Sequence, residues 1–402
     1  MPKDRFTRSP FPEVRVSDIE RLELVDLVEN LVFDYVHKFE EFAQVDRRQV
    51  DDRRWELVKA KDKLRVYSER TRKELSRRGM QPETSLSATQ RVQAKAVTKE
   101  LPVVMSAGSF VGELDDLMFG VVSPTLDDMR VKASYVHDVE SAAVVCSVLE
   151  PTKDDPFRSL VIKWMTIDVP LPSSLIKSRD FVYIEATGMT YLPNGDRVGY
   201  HLQHSIDFPQ TKPLPNKTRG NMSVFSCFRR KRRQVIENFA WGVVDPGGEI
   251  MRSLAVSVAA GTLLTATNYV YCGQMKKLAW MLQLNRSSHS PIVRKDHTQR
   301  KQCVVCGKKT TNAIGSIGKG TCKICDGSVC YSCKIRQRVS SIARGGQLIQ
   351  RKVVVCGKCM IETNRWNAQE AAIDHALGYE YGTMHSAYSF VDTSASSYEE
   401  LT

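Results

Sequence analysis

The chain has 402 residues, 42% apolar and 26% charged, with a formal net charge of +12. This is ordinary globular composition with room for two or three domains. The start, Met1-Pro2-Lys3-Asp4-Arg5, lacks the apolar core of a signal peptide, which argues against export and for a reducing compartment.

In chain order, residues 1–16 read as an irregular lead-in. Ser17 and Glu20 form a capping-box signature, and Val28, Leu31, Val32, Tyr35, Phe39 and Phe42 recur at helical spacing, so a helix is predicted over 18–44. Two short strands, Trp55–Lys59 and Leu64–Ser68, are predicted around a turn at 60–63. Residues 71–96 are polar and poorly patterned, an exposed loop or helical insert. A strand at Val103–Val111 and a short helix at Glu113–Val122 follow. Period-two alternation then marks strands at Leu160/Ile162/Trp164, Phe181/Tyr183/Thr187 and Val198 to Phe208. The second and third are joined by the hairpin turn Pro193-Asn194-Gly195-Asp196. A last hairpin, Val224–Phe228 and Val235–Val244, has the run Arg229–Arg233 at its tip. That run reads as a solvated turn, an import signal or a membrane-touching tip.

Asp245-Pro246-Gly247-Gly248 ends the sheet, and one long helix is predicted over 249–284. Ser253 to Met275 is uncharged, but its Ser, Thr, Asn and Gln residues fit a core helix better than a membrane span. Sequential strands joined by tight turns give an antiparallel sheet. The long helix has only that sheet to bury its face against. A sheet curled around a helix encloses a space, and the hydroxyls of the helix fit either a ligand tunnel or satisfied core groups.

Trp55 with Val66-Tyr67, then Ser178-Arg179-Asp180-Phe181-Val182, then Asp245-Pro246-Gly247-Gly248, in that order, resemble the START domain over residues 17–285. The resemblance implies a helix-grip α+β fold, with a curved antiparallel sheet around a long C-terminal helix and a cavity for one lipid. Arg179 and Asp180 are adjacent on a strand and point to opposite faces. They and Thr265, on the helix, are the cavity candidates. No Ser/His/Asp or Cys/His set is apparent, so no enzyme is expected.

After a linker at 286–299 come eight of the eleven cysteines, as four CxxC pairs: Cys303/Cys306, Cys322/Cys325, Cys330/Cys333 and Cys356/Cys359. Two residues between sulfurs let both thiolates of a pair reach one tetrahedral ion, and eight thiolates make two four-sulfur zinc sites. Disulfides would need an exported chain, and a redox protein would need one pair rather than four. The four-residue central gap, Asp326 to Val329, favours an interleaved assignment. Cys303, Cys306, Cys330 and Cys333 then hold one ion, and Cys322, Cys325, Cys356 and Cys359 the other. Consecutive ribbons are the alternative.

The eight cysteines, the four-residue gap and Arg351-Lys352-Val353-Val354-Val355-Cys356 resemble a FYVE-type finger over 300–364, a degenerate member of that family. The resemblance implies a cross-brace fold with two Zn²⁺ and contact with phosphoinositide-bearing endosomal membranes. The family's WxxD is absent at Arg294-Lys295-Asp296-His297. Its double histidine is replaced at Gly318-Lys319-Gly320-Thr321-Cys322. Residues 300–360 carry thirteen Lys/Arg against one acid, Asp326, which suits an anionic surface. Lys319, Lys323, Arg351 and Lys352 are the headgroup candidates, and Ile314 and Ile317 the membrane-inserting ones. The expected partners are a lipid ligand, an anionic membrane and a protein partner of the finger. Neither nucleic acid nor a transmembrane helix is expected. Residues 365–402 read as a mobile tail. The composite expectation is a cytoplasmic protein, peripheral on endosomal membranes.

Overall fold

The computed structural model describes residues 9–81, 100–136, 141–167, 177–287, 302–309, 320–343 and 346–380. The largest element is a ten-stranded sheet. Its strands are β1 (Trp55–Lys61), β2 (Lys63–Glu69), β3 (Val103–Val111), β4 (Ser141–Leu149), β5 (Ser159–Ile167), β6 (Arg179–Tyr191), β7 (Arg197–Ser205), β8 (Thr218–Arg219), β9 (Asn221–Arg232) and β10 (Val235–Asp245). The order is β1-β2-β3-β10-β9-β7-β6-β5-β4, antiparallel throughout that path, with β8 added in parallel beside β6. The β1–β2 turn is tighter than predicted, pivoting on Asp62 at φ 52°.

One face of the sheet is covered by α1 (Asp18–Gln44), which starts at the predicted capping box of Ser17 and Glu20. Its buried residues Leu24, Val28, Leu31, Tyr35, Phe39 and Phe42 form one stripe at three- and four-residue intervals. The stripe meets Phe225, Phe239 and Trp241: the Tyr35 and Phe225 rings stack at 5.0 Å, and those of Phe42 and Phe239 at 5.1 Å.

The other face carries α3 (Leu114–Val121), α4 (Leu126–Val136), α5 (Arg252–Leu264) and α6 (Thr267–Ser287). A short helix, α2 (Arg72–Arg77), follows β2, and residues 82–99 of the predicted insert lie outside the described residues. The single predicted helix over 249–284 is therefore two. The break has a local cause. The Thr265, Ala266, Asn268 and Tyr269 amides each bond a carbonyl three residues back, at 2.8–3.4 Å. The Thr262, Thr265 and Thr267 hydroxyls bond backbone carbonyls of the same stretch. Hydroxyl back-bonding and a tightened turn bend and interrupt a helix. The stretch Arg252–Leu284 is apolar and long enough to cross a membrane by length and composition; here it is interrupted and packed against the sheet and the other helices.

Helix α6 is locked to α3. A Cβ at Gly120 would collide with the Tyr269 carbonyl, and one at Gly273 with the carbonyl of Asp116. Two glycines facing across the crossing thus bring the helix backbones into contact. Beside them Lys277 is buried, bonding Asp116 at 2.7 Å and the Trp366 carbonyl at 2.8 Å.

The cysteine-rich part consists of two turns, at 303–306 and 322–325, the strands β11 (Lys334–Ile342) and β12 (Leu348–Cys356), and helix α7 (Gly357–Arg365). It is not suspended on a linker. Val339, Ile342 and Val355 share one apolar core with Leu278 and Ala279 of α6 and Val131 of α4. The Tyr135 hydroxyl accepts from the Ser340 amide at 2.7 Å, and Tyr271 bonds Gln337 at 3.3 Å. The mobile tail expected over 365–402 begins instead with ordered structure. Residues Ala368–Glu380 form α8, whose alanines 368, 371, 372 and 376 are buried, and His375 bonds Asp128 of α4 at 2.9 Å. The small alanines at three- and four-residue spacing let α8 lie close to α3 and α6, a signal that polar neighbours obscure in the sequence. Residues 381–402 and most of the expected linker, 288–299, lie outside the described residues.

Candidate functional site: two thiolate clusters and an apolar cavity

The four CxxC pairs fold into two clusters, Cys303/Cys306/Cys330/Cys333 and Cys322/Cys325/Cys356/Cys359, with all sulfurs of a cluster within 4.8 Å of one another. The interleaved arrangement expected from the four-residue gap is the one observed. Each of the first two pairs sits on a tight turn. Gly307 closes the first at φ 70° and Asp326 the second at φ 53°. The turns are held by Gly307 N–H to the Cys303 carbonyl (2.8 Å) and Asp326 N–H to that of Cys322 (3.0 Å). The amide of Val304 donates to the Ser328 carbonyl at 3.0 Å and ties the turns together. Cys330 precedes β11, while Cys356 ends β12 and Cys359 lies in the first turn of α7. The hairpin thus carries one pair to each cluster.

A tetrahedral ion with metal–sulfur bonds of about 2.3 Å needs sulfurs about 3.8 Å apart. The Cys306 and Cys330 sulfurs are 3.7 Å apart, and those of Cys325 and Cys356 4.0 Å. The donor set and spacing fit one metal ion in each cluster. The second cluster is the more enclosed, with Cys322, Cys356 and Cys359 buried.

The helix-grip cavity lies between α5 and the strands β3, β5, β6, β7, β9 and β10, and its volume is about 110 Å³. Its walls are mainly apolar, including Met165, Phe181, Met222, Val258, Leu263 and Tyr269. Arg179 lines one end and donates to the Pro246 carbonyl at 3.2 Å. Asp180 lies on the opposite face, fully buried, accepting from Trp164 Nε1 at 3.1 Å and from Arg219 at 2.9 Å. The adjacency argument therefore holds: Arg179 belongs to the cavity and Asp180 to the α1 side. Thr265 is not in the cavity; it sits in the helix break, bonded to the Thr262 carbonyl, and Thr262 lines the wall instead.

Sequence reasoning missed the polar group at the cavity's inner wall. Buried Glu185 accepts from His201 at 2.7 Å, from Lys132 at 3.2 Å and from Lys163. His201 lines the cavity, and Tyr269 meets it edge to face at 6.0 Å. The signal was present: Lys163 and Glu185 interrupt otherwise apolar strands, and a charge at an inward strand position needs a buried partner. Its partner Lys132 lies on α4, an element the alternation did not reveal.

Of the membrane candidates, Ile314, Ile317 and Lys319 lie outside the described residues. Lys352 is exposed and paired across the hairpin with Arg338, and half-buried Arg351 with Val339. Lys323 is exposed, and its amide donates to the Val354 carbonyl at 2.9 Å.

No family model matches the chain, and no curated protein matches it by sequence. Solved structures do. Human STARD10 is similar over 68% of this chain and 85% of its own, at 10% identity and TM-score 0.38. Human StAR-related lipid transfer protein 5 is similar over 62% and 98%, at 12% and 0.40. A STAR-related lipid transfer protein fragment from Xanthomonas axonopodis is similar over 54% and 99%, at 16% and 0.35.

Proposed function

We propose that this protein is a non-enzymatic lipid carrier that holds one lipid between the sheet and α5. Its FYVE-like finger, built on two zinc ions, attaches it to an anionic membrane, the endosomal surface among them. The observation that carries the reading is the apolar cavity beneath a helix that is only thinly attached. Drug-sized ligands occupy about 300–1,000 Å³, so at about 110 Å³ the cavity must expand before a lipid enters. Helix α5 is the element free to move. It touches a small apolar cluster around Val66, Val104 and Ala240, and its polar ties include Lys59 to the Ser257 carbonyl at 2.8 Å and Arg252 to that of Glu69 at 2.6 Å. The 265–266 break is the hinge, and α6 beyond it is anchored.

Inside the cavity, Arg179 and His201 are polar groups that an apolar ligand's head would meet. On the finger, Lys323, Arg338 and Lys352 offer charge to anionic lipid, and with Gly320 and Thr321 in place of histidines the selectivity for one phosphoinositide is slight. Native mass spectrometry of the full chain, after incubation with mixed lipids, tests this: two zinc ions and one lipid are expected. Two zincs without lipid would favour a second reading, an adaptor whose finger binds a protein and whose upper domain is a scaffold. The small volume of the cavity is the observation that favours it.

A further inference from the structure

We infer that the surface meeting the anionic membrane is composite, joining the end of the β9–β10 hairpin to α7 and the α7–α8 junction. This rests on the membrane reading above and assigns it a face distinct from the finger's own hairpin. The Arg229–Arg233 run is not one feature. Arg229 is braced by Glu237 at 2.7 Å and Asp196 at 2.8 Å, whereas Arg230, Lys231, Arg232 and Arg233 are all exposed, with no ion pair among the described residues.

Arg230 and Arg233 share a hollow of about 580 Å³ with Arg365 and Trp366, so the two parts of the chain meet there. The acids of that hollow are already engaged: Asp115 by Arg197 at 2.7 Å, Asp116 by Lys277 at 2.7 Å, Asp196 by Arg229, and Glu113 by the Gln234 amide at 3.2 Å. Arg365 and Trp366 continue into a shallower depression with Lys358 and Ile361. Four exposed cations, Arg230, Arg233, Arg365 and Lys358, line the two depressions, against the exposed acids Glu362 and Glu370 and the half-buried Glu113.

Charge alone fits any polyanion; the apolar groups among the cations select the bilayer. Ile361 is 55% exposed, and Val111, paired with Val235 beside the hairpin end, is 77% exposed. Aliphatic side chains gain from contact with acyl chains and nothing from a phosphate backbone. Each Lys or Arg at an anionic surface contributes about a fivefold gain in binding.

The test is cosedimentation of the full, zinc-loaded chain with phosphatidylcholine vesicles, with and without phosphatidylserine. Wild type is expected to bind only the anionic vesicles. Arg230→Ala with Arg233→Ala is expected to weaken binding about thirtyfold, and Ile361→Ser to reduce the fraction that survives high salt. Lys323→Ala with Lys352→Ala, on the finger's second turn and its hairpin, is expected to have the smaller effect. Unchanged zinc content and circular dichroism check that each variant is folded. Loss in the Lys323/Lys352 variant with none in the Arg230/Arg233 variant would overturn the composite surface and leave the membrane reading intact. Failure of wild type to bind anionic vesicles, or preferential binding to duplex DNA or RNA, would overturn both.

Discussion

Helices α5 and α6 read in the sequence as one uncharged, weakly polar helix, yet the protein uses its two halves in opposite ways. Helix α6 crosses α3 at backbone contact, buries Lys276 and Lys277, and shares a core with the thiolate finger. Helix α5 lies over a cavity and shares a small apolar cluster with β2, β3 and β10. Hydropathy is nearly blind to this difference, because burial by packing and burial over a cavity require the same residue types. What distinguishes the halves is small residues at a crossing and charges with buried partners.

The largest effect that sharpens the contrast comes from the metal. Structural zinc contributes about 10–16 kcal/mol of folding free energy in isolated fingers. Chelation, or Cys322→Ser at the enclosed cluster, should unfold β11, β12 and α7. Because these pack on α6, the loss should reach α6 and the cavity domain's melting temperature. Metal analysis, thermal melting and hydrogen exchange check this; a finger that unfolds while α6 keeps full protection would show that the shared core is energetically minor.

Next is the buried Asp116–Lys277 pair. Burial pushes the Asp116 carboxyl up while Lys277 pulls it back, and the net direction is upward. The fold therefore does not favour the ionised carboxyl of Asp116 over its neutral form, but Asp116→Ala would leave a buried ammonium without its carboxylate. That loss should cost about 3–5 kcal/mol, read by urea unfolding.

The seam between α4 and α8 adds a pH dependence. Burial alone would raise the Asp128 carboxyl. His375 and Lys276 more than offset it and hold it well below the usual carboxylate range. Since its folded value lies below its unfolded one, the stabilisation is full above about pH 4 and disappears only as pH falls further. Asp128→Asn should flatten the acid limb of the stability curve below that pH.

These three all concern the anchored side, and its legibility in the sequence was uneven. The thiolate pairing was favoured by spacing, because a four-residue gap is too short for a separate module, though consecutive ribbons stayed open until the sulfurs were placed. Helix α1 followed from its capping box and apolar stripe. The period-two strands were legible because one face of each is apolar. Helix α4 and strand β4 were not, since Asp127, Asp128, Arg130 and Lys132 mask the helical period until their buried partners are known. The helix break was missed because Thr262, Thr265 and Thr267 look like tolerated helix residues until their hydroxyls are seen on backbone carbonyls. The seam with α8 rests on alanines, which carry little hydrophobic signal.

The smallest effects come from a matched pair of glycines. Gly273→Ala forces a methyl into the α3 backbone and should destabilise by about 1–3 kcal/mol. At Gly261, in α5, the nearest neighbour to a new Cβ is Lys59 Nζ at 3.5 Å. Gly261→Ala should therefore stabilise by about 0.5–1 kcal/mol through helix propensity. Chemical denaturation of both variants checks the sign difference, and equal signs would erase the distinction between the halves.

The most direct measurement is amide hydrogen exchange across 252–284 in the zinc-loaded full chain, alone and after loading with lipid. Local stability sets exchange protection. The amides of α5 should exchange at least about tenfold faster than those of α6 before loading, and slow when lipid is bound, while α6 stays constant. Equal protection of the two helices, unchanged by lipid, would contradict a hinged lid over a lipid cavity.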